Sequence, residues 1–330
     1  MNDPRFTTTP SEEIEFGYEL LRLTCGLVRE DRLILVEMTG EDRRAWLQGQ
    51  VTNDLRSLDP GSAAAFCLTT PTGQLEAVCR VWALPDRFII SLHEAELAAL
   101  MRRVERRVIM EDVAARKLDG ILLNLQGPTA TRTLQRVVSP PSMEAATGHI
   151  NGNEVIFMRS NRTGAGGWKI FVPQGAEGAE RMLSDLAPPV APEAYDVARL
   201  EAGIPLPGRD YDERTLPPEL GPAFEALTVS YTKGCYTGQE VLMRIHSRGH
   251  TNRTWMGILA ERPLAAGDLV RHPARPDAGQ ITSAGISPGL GPIAGAMVRR
   301  EAARPGEAVI IETTEGPVEA ELRHMPLWTP

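Results

Sequence analysis

Past Arg253 the helical period disappears from this chain of 330 residues, and that change constrains the fold more than any other feature. Residues 255–259, 268–271, 280–286, 295–298, 308–312 and 318–322 are short strand-like runs, separated at regular intervals by Gly/Pro turns. Short strands in that rhythm close into a barrel or pack as a sandwich. The sequence therefore predicts a small all-β module over residues 251–330 and a different region over residues 1–250.

That first region reads as α+β. Residues 1 to about 12 are polar, carry Pro4 and Pro10, and look like a loose arm. Leu33-Ile34-Leu35-Val36 reads as a buried strand, and Thr39-Gly40-Glu41-Asp42 opens a helix with Trp46 and Leu47. Residues 64–69, 75–83 and 87–92, joined by turns at Pro71-Thr72-Gly73 and Pro85-Asp86, form an antiparallel meander. A helix over about 94–107 follows, apolar on the face of Leu97, Leu100, Met101 and Val104. The order strand, helix, paired strands, helix is echoed over residues 121–186, which predicts two related α+β subdomains. Pro205 begins an irregular stretch to residue 220, and loops of that length in a compact protein are functional or disordered.

The stretch richest in chemistry is Lys233-Gly234-Cys235-Tyr236-Thr237-Gly238-Gln239-Glu240. Thr237 and Glu240 have capping-box spacing, which predicts a helix from about 238 that stops at Gly249. Cys235 would then sit just before a helix N-terminus and beside Lys233, both of which favour thiolate. The bland alternative is a cysteine packed as a small hydrophobe. Between residues 233 and 253, Lys233, Arg244, Arg248 and Arg253 stand against Glu240, a net +3 in a chain of net charge −8. Such a patch suits a small polyanion, or is a solvated helix face, while the acidic whole argues against general nucleic-acid binding. Four scattered cysteines, with no Cys/His cluster at metal spacing, predict neither a disulfide framework nor a metal centre. No apolar run reaches membrane-helix length and the N-terminus has no signal core, so the expected setting is cytoplasmic.

With those residues in view, the chain resembles the YgfZ family, folate-binding relatives of the glycine-cleavage aminomethyltransferase (GcvT). Residues 233–240 match the YgfZ signature throughout. Leu47-Gln48-Gly49-Gln50-Val51-Thr52-Asn53-Asp54 matches a second family motif, and Arg199-Leu200-Glu201-Ala202-Gly203 a third. Gly208-Arg209-Asp210-Tyr211-Asp212-Glu213 looks like the shared acidic loop, and Gly279-Gln280-Ile281-Thr282-Ser283 like the start of the barrel motif. The resemblance implies two intertwined α+β subdomains around a folate site, with a C-terminal β-barrel. It implies tetrahydrofolate as ligand and a role in assembly or repair of iron–sulfur enzymes, with iron–sulfur clients or assembly proteins as partners. On the same basis Glu201 is expected to grip the pterin, Tyr195 to stack near it, and Lys233, Arg244 and Arg253 to attract the glutamyl tail. Cys235 is expected to be the functional thiol.

One departure bears on activity. The aminomethyltransferases carry a catalytic aspartate after the meander's glycine turn, and here the run reads Gly73-Gln74-Leu75-Glu76-Ala77. Glu76 is one methylene longer, a displacement that matters where reacting groups must be aligned. Aminomethyl or methyl transfer with Glu76 as base, and a non-catalytic folate-binding module, are the alternatives to the accessory role.

Overall fold

The structure, a computed structural model, describes residues 10–330; the arm expected over residues 1 to about 12 falls mostly outside them. The described chain begins with a helix that the sequence reading leaves unassigned, α1 (Glu12–Leu23), where Ser11 Oγ accepts the Ile14 N–H at 3.3 Å. Glu12, Glu13 and Glu15 fill its first turn, where negative charge offsets the unpaired N–H groups.

Two five-stranded antiparallel sheets follow. The first runs in the order β3 (Ala63–Thr69), β4 (Leu75–Ala83), β5 (Phe88–His93), β2 (Leu33–Thr39), β6 (Ala114–Lys117). The second runs β1 (Gly26–Arg29), β7 (Gly120–Gln126), β10 (Gly167–Pro173), β9 (Asn153–Arg159), β8 (Ala145–Ile150). Because β1 pairs with β7 while β2 pairs with β5, the chain crosses between sheets within its first forty residues, and the two units are intertwined. The meander appears as expected; β6 and β8 carry charge and small residues and show no clear period in the sequence.

The sheets pack on each other through Leu35, Trp82 and Ile89 of one and Leu122, Ile156 and Phe171 of the other. Trp82 is fully buried and its indole N–H reaches Arg159 O at 3.1 Å, so the largest side chain at this seam also satisfies its polar atom. Truncating such a residue costs about 3–5 kcal/mol. The outer face of the first sheet is covered by α2 (Arg43–Gln50) and α3 (Leu97–Arg107), and that of the second by α4 (Ala130–Leu134) and α5 (Glu177–Ser184).

Beyond the sheets lie α6 (Pro192–Glu201), α7 (Pro222–Thr228) and α8 (Gln239–Arg248). The remaining six strands are β11 (Arg253–Ala260), β12 (Leu269–His272), β13 (Arg275–Ser287), β14 (Gly291–Arg299), β15 (Ala308–Thr313) and β16 (Gly316–Arg323). They close into a barrel in the order β11-β14-β13-β12-β15-β16. The α+β architecture with a C-terminal barrel is as the sequence predicts. A buried ion pair ties the parts together: Arg199 Nη1 lies 2.8 Å from Asp210 Oδ2, while Arg199 Nη2 meets Ser283 Oγ of β13 at 3.0 Å. Asp210 Oδ1 accepts from Thr282 and Ser283, each at 2.6 Å, so every strong site of this buried carboxylate is used.

Candidate functional site

A cavity of about 300 Å³ lies where both sheets, the segment after α6, α7 and the C-terminal residues meet. Its walls are largely apolar, with Leu92, Ile204, Leu206 and Phe224 among them. Among its described lining residues Glu96 is the single acid. Glu96 ends the short 3₁₀ turn after β5; Tyr211 donates its hydroxyl to Oε1 at 2.7 Å, and the Val78 N–H reaches the same oxygen at 3.3 Å. Oε2 is buried without a well-aligned partner, and the His93 backbone N–H also acts on the carboxylate. Burial pushes this carboxyl up to about 7, against the opposing pull of those hydrogen bonds.

The cavity's cations are Lys169, Arg162 and Arg80. Lys169 of β10 is buried, donates to Ser91 Oγ at 2.8 Å, and is lowered to about 7 by burial, with the Arg162 and Arg80 charges adding to the effect. Arg162 lines the cavity and its Nε is unpartnered. None of these cations is among the groups acting on Glu96. The cavity thus brings one acid, Glu96, and three cations to one space.

The residues expected from sequence lie elsewhere, each for a physical reason. Glu201 is fully buried at the end of α6, where Tyr18, Arg22 and Ser287 donate to its carboxylate, leaving it no acceptor for a ligand in the cavity. Trp328 covers the Arg22 guanidinium at 3.9 Å. Glu76 pairs with Arg103 of α3 and does not line the cavity; a β-bulge beside Thr69 shifts the register there. Tyr195 donates to Glu30 Oε2 at 3.3 Å and does not line the cavity, although its neighbour Arg162 does. Arg253 meets Glu219 at 3.2 Å and Asp212 at 4.0 Å, so acids of the irregular stretch already hold it. Arg244 is exposed on α8.

The loop of residues 233–240 is built differently from the expectation. Lys233 is buried and does not flank Cys235; its Nζ donates to Gln48 O and Val51 O at 2.6 Å and Asn53 O at 2.9 Å. Burial lowers it to about 8. Two sequence motifs are therefore one structural knot. Thr237 is not an N-cap, since its carbonyl accepts from Thr69 Oγ1 at 2.6 Å and α8 starts after Gly238. Gly238 has φ +85°, and a Cβ there would stand 2.6 Å from Thr70 O, so glycine is required. Gly249 does end α8, with its N–H on Ile245 O at 3.0 Å. Cys235 is exposed at the tip of this anchored loop and does not line the cavity, whereas Cys25, Cys67 and Cys79 are buried.

Sequence reasoning missed Glu96, Tyr211, Lys169 and Arg162 as site residues. Glu96 had a signal: it stands four residues before Leu100, in line with the apolar face of α3. An acid on that line is aimed inward. Among the described residues no group of three His, Cys, Asp or Glu is placed to hold a metal ion, and no helix is long and apolar enough to cross a membrane.

Two interleaved α+β units that meet at a cavity, followed by a closed β-barrel, define a class of two-part α+β and barrel proteins. Residues 7–227 match the family described as GCVT N-terminal domain, and residues 253–328 match the glycine cleavage T-protein C-terminal barrel domain. The chain belongs to the glycine cleavage T-protein family. It is 28% identical to an aminomethyltransferase of Synechococcus sp. (strain RCC307), over 89% of this chain and 85% of that protein. It is 29% identical to an aminomethyltransferase of Rubrobacter xylanophilus over 96% and 86% of the two chains. The crystal structure of glycine cleavage system aminomethyltransferase T from Bartonella henselae superposes with a TM-score of 0.86, at 23% identity, over 96% of this chain and 89% of that one. That likeness concerns the fold.

Proposed function

We propose that the chain binds tetrahydrofolate in the central cavity. The carrying observation is that one cavity with mostly apolar walls holds a single acid, Glu96, and the cations Lys169, Arg162 and Arg80. A pterin offers adjacent N–H donors and a flat apolar face, and a folate tail is anionic, so these residues fit the ligand. Bound tetrahydrofolate supplies amine nitrogens that carry a one-carbon unit. The chain's residues bind and orient it against mostly apolar walls.

The relatives' names support aminomethyl transfer as the reaction. In this reading Glu76 is not the base, because Arg103 holds it outside the cavity. Calorimetric titration with tetrahydrofolate tests the binding. Release of methylene-tetrahydrofolate from an aminomethyl donor tests the transfer, and binding without release from a loaded donor removes the transferase in favour of a binding module.

A second reading follows the resemblance to YgfZ and has its own observation: the exposed Cys235 on a loop held rigid by Lys233. A thiol presented to solvent suits an accessory protein that meets iron–sulfur clients in the cytoplasm. Here Cys235→Ala keeps folate affinity and fails to restore iron–sulfur enzyme activities in a deletion strain. Full restoration by that variant removes the thiol's role.

A further inference from the structure

We infer that Lys169 is a carbonyl-capturing site: its amine forms an imine with a small 2-oxo acid that enters the central cavity, with the Ser91 hydroxyl beside the reacting nitrogen. The inference goes beyond the folate reading and does not rest on it, since the capture needs no folate. Of the 35 lysines and arginines in the chain, only three are lysines: Lys117, Lys169 and Lys233. Arginine stays protonated in proteins, whereas a buried lysine can lose its proton and become a nucleophile. Lys117 is exposed and pairs with Glu94 at 3.2 Å, and Lys233 is spent on the three carbonyls that anchor its loop. Lys169 has neither use.

Strand alternation decides where Lys169 stands. Trp168, Ile170 and Val172 of β10 face the helix-covered core, so Lys169 and Phe171 turn toward the other sheet, whose Trp82 packs at this seam. Lys169 Nζ lies 5.4 Å from the centroid of the Trp82 ring. The residue is 2% exposed and lines the cavity. Among the described residues its Nζ has one hydrogen-bond partner, the Ser91 hydroxyl at 2.8 Å, and Ser91 lines the cavity too. An ammonium buried with one neutral partner is costly, and the neutral amine avoids that cost. Burial, then the Arg162 and Arg80 charges, oppose its protonation, and Glu30 alone favours it. Arg80 and Arg162 line the same cavity, so a carbonyl compound that carries a carboxylate is matched in charge.

The step balances without a further reactant. Neutral Nζ attacks the carbonyl carbon, a C–N bond forms, and the π pair moves to oxygen. A proton passes from nitrogen to that oxygen, with the Ser91 hydroxyl in reach of the nitrogen as relay. The carbinolamine then loses water and the C=N bond closes.

The test is reductive trapping of the full chain with glyoxylate and sodium cyanoborohydride, mapped by peptide mass spectrometry. At about pH 7, Lys169 is expected to gain the carboxymethyl group at least about tenfold faster than Lys117. Its rate is expected to climb between about pH 6 and about pH 8 and then level, following an amine that titrates at about 7. With acetaldehyde, which lacks the carboxylate, the ratio of Lys169 to Lys117 labelling is expected to fall about tenfold, and Arg80→Gln is expected to narrow the difference between the two aldehydes. Lys169 labelled no faster than Lys117 overturns the capture site. An equal ratio with both aldehydes overturns the oxo-acid assignment. Calorimetric binding of tetrahydrofolate is a separate readout, so the folate reading and this one fail independently.

Discussion

Lys233 Nζ lies 2.6 Å from the carbonyl oxygen of Val51, a residue 182 positions earlier in the chain. The ammonium also holds Gln48 O and Asn53 O, so one side chain closes the end of α2 against the loop that carries Cys235. Thr52 adds a second tie, donating to Thr228 O at 2.6 Å.

Lys233→Met keeps the stem's volume and removes three charge-assisted donors. It is expected to destabilise the protein by about 2–4 kcal/mol, because three carbonyls lose their partner in a buried place. Urea unfolding measures the loss. Faster labelling of Cys235 by a thiol reagent reports the loosened loop, and an unchanged labelling rate would count against the anchoring role.

Glu201→Gln should act on stability. With Arg22 left buried without its counter-charge, a loss of about 3–5 kcal/mol is expected in chemical denaturation. The affinity of the remaining folded protein for tetrahydrofolate is expected to stay within about threefold.

Glu76→Gln breaks the pair with Arg103, whose guanidinium also donates to Gln50 O and Thr69 O. Those carbonyls keep Arg103 partly satisfied, so the expected cost is about 1–2 kcal/mol. Folate affinity should not change, and a loss of tenfold or more by calorimetry would return Glu76 to the cavity.

Glu96 links stability to pH. Its carboxyl is raised from 4.5 to about 7 by burial. Between those values the native chain keeps a proton that the unfolded chain has lost, so this stabilisation is full below about pH 4.5 and fades as pH rises through 7. The stability of wild type relative to Glu96→Gln should fall by on the order of 2 kcal/mol between about pH 5 and pH 8. Denaturant midpoints of both proteins across that range check the sign, and a difference that grew with pH would contradict it.

Local pattern carried much of the fold. The six runs after Arg253 became the six strands of the barrel, because each strand and turn is written in neighbouring residues. The meander was legible for the same reason. Helix α1 was not read, since Gly17 interrupts its apolar spacing; that glycine is needed where the helix meets Ala194, which a Cβ would approach to 2.8 Å. The order of strands, with β1 in one sheet and β2 in the other, is a pairing choice that no local window contains.

The candidate site divides the same way. By itself the sequence determined the α+β region, the barrel, and which motifs matter: residues 47–54 and 233–240, which the fold joins through Lys233. Only the tertiary structure decided which acids are free. Glu201, Glu76 and Glu96 are chemically one residue type, and a carboxylate's availability depends on the donors the fold brings to it. Tyr18, Arg22 and Ser287 converge on the first and Arg103 on the second, while the third lines the cavity with no cation paired to it. Those partners lie up to 183 positions away in the chain, so their convergence is a property of packing and not of any stretch of residues.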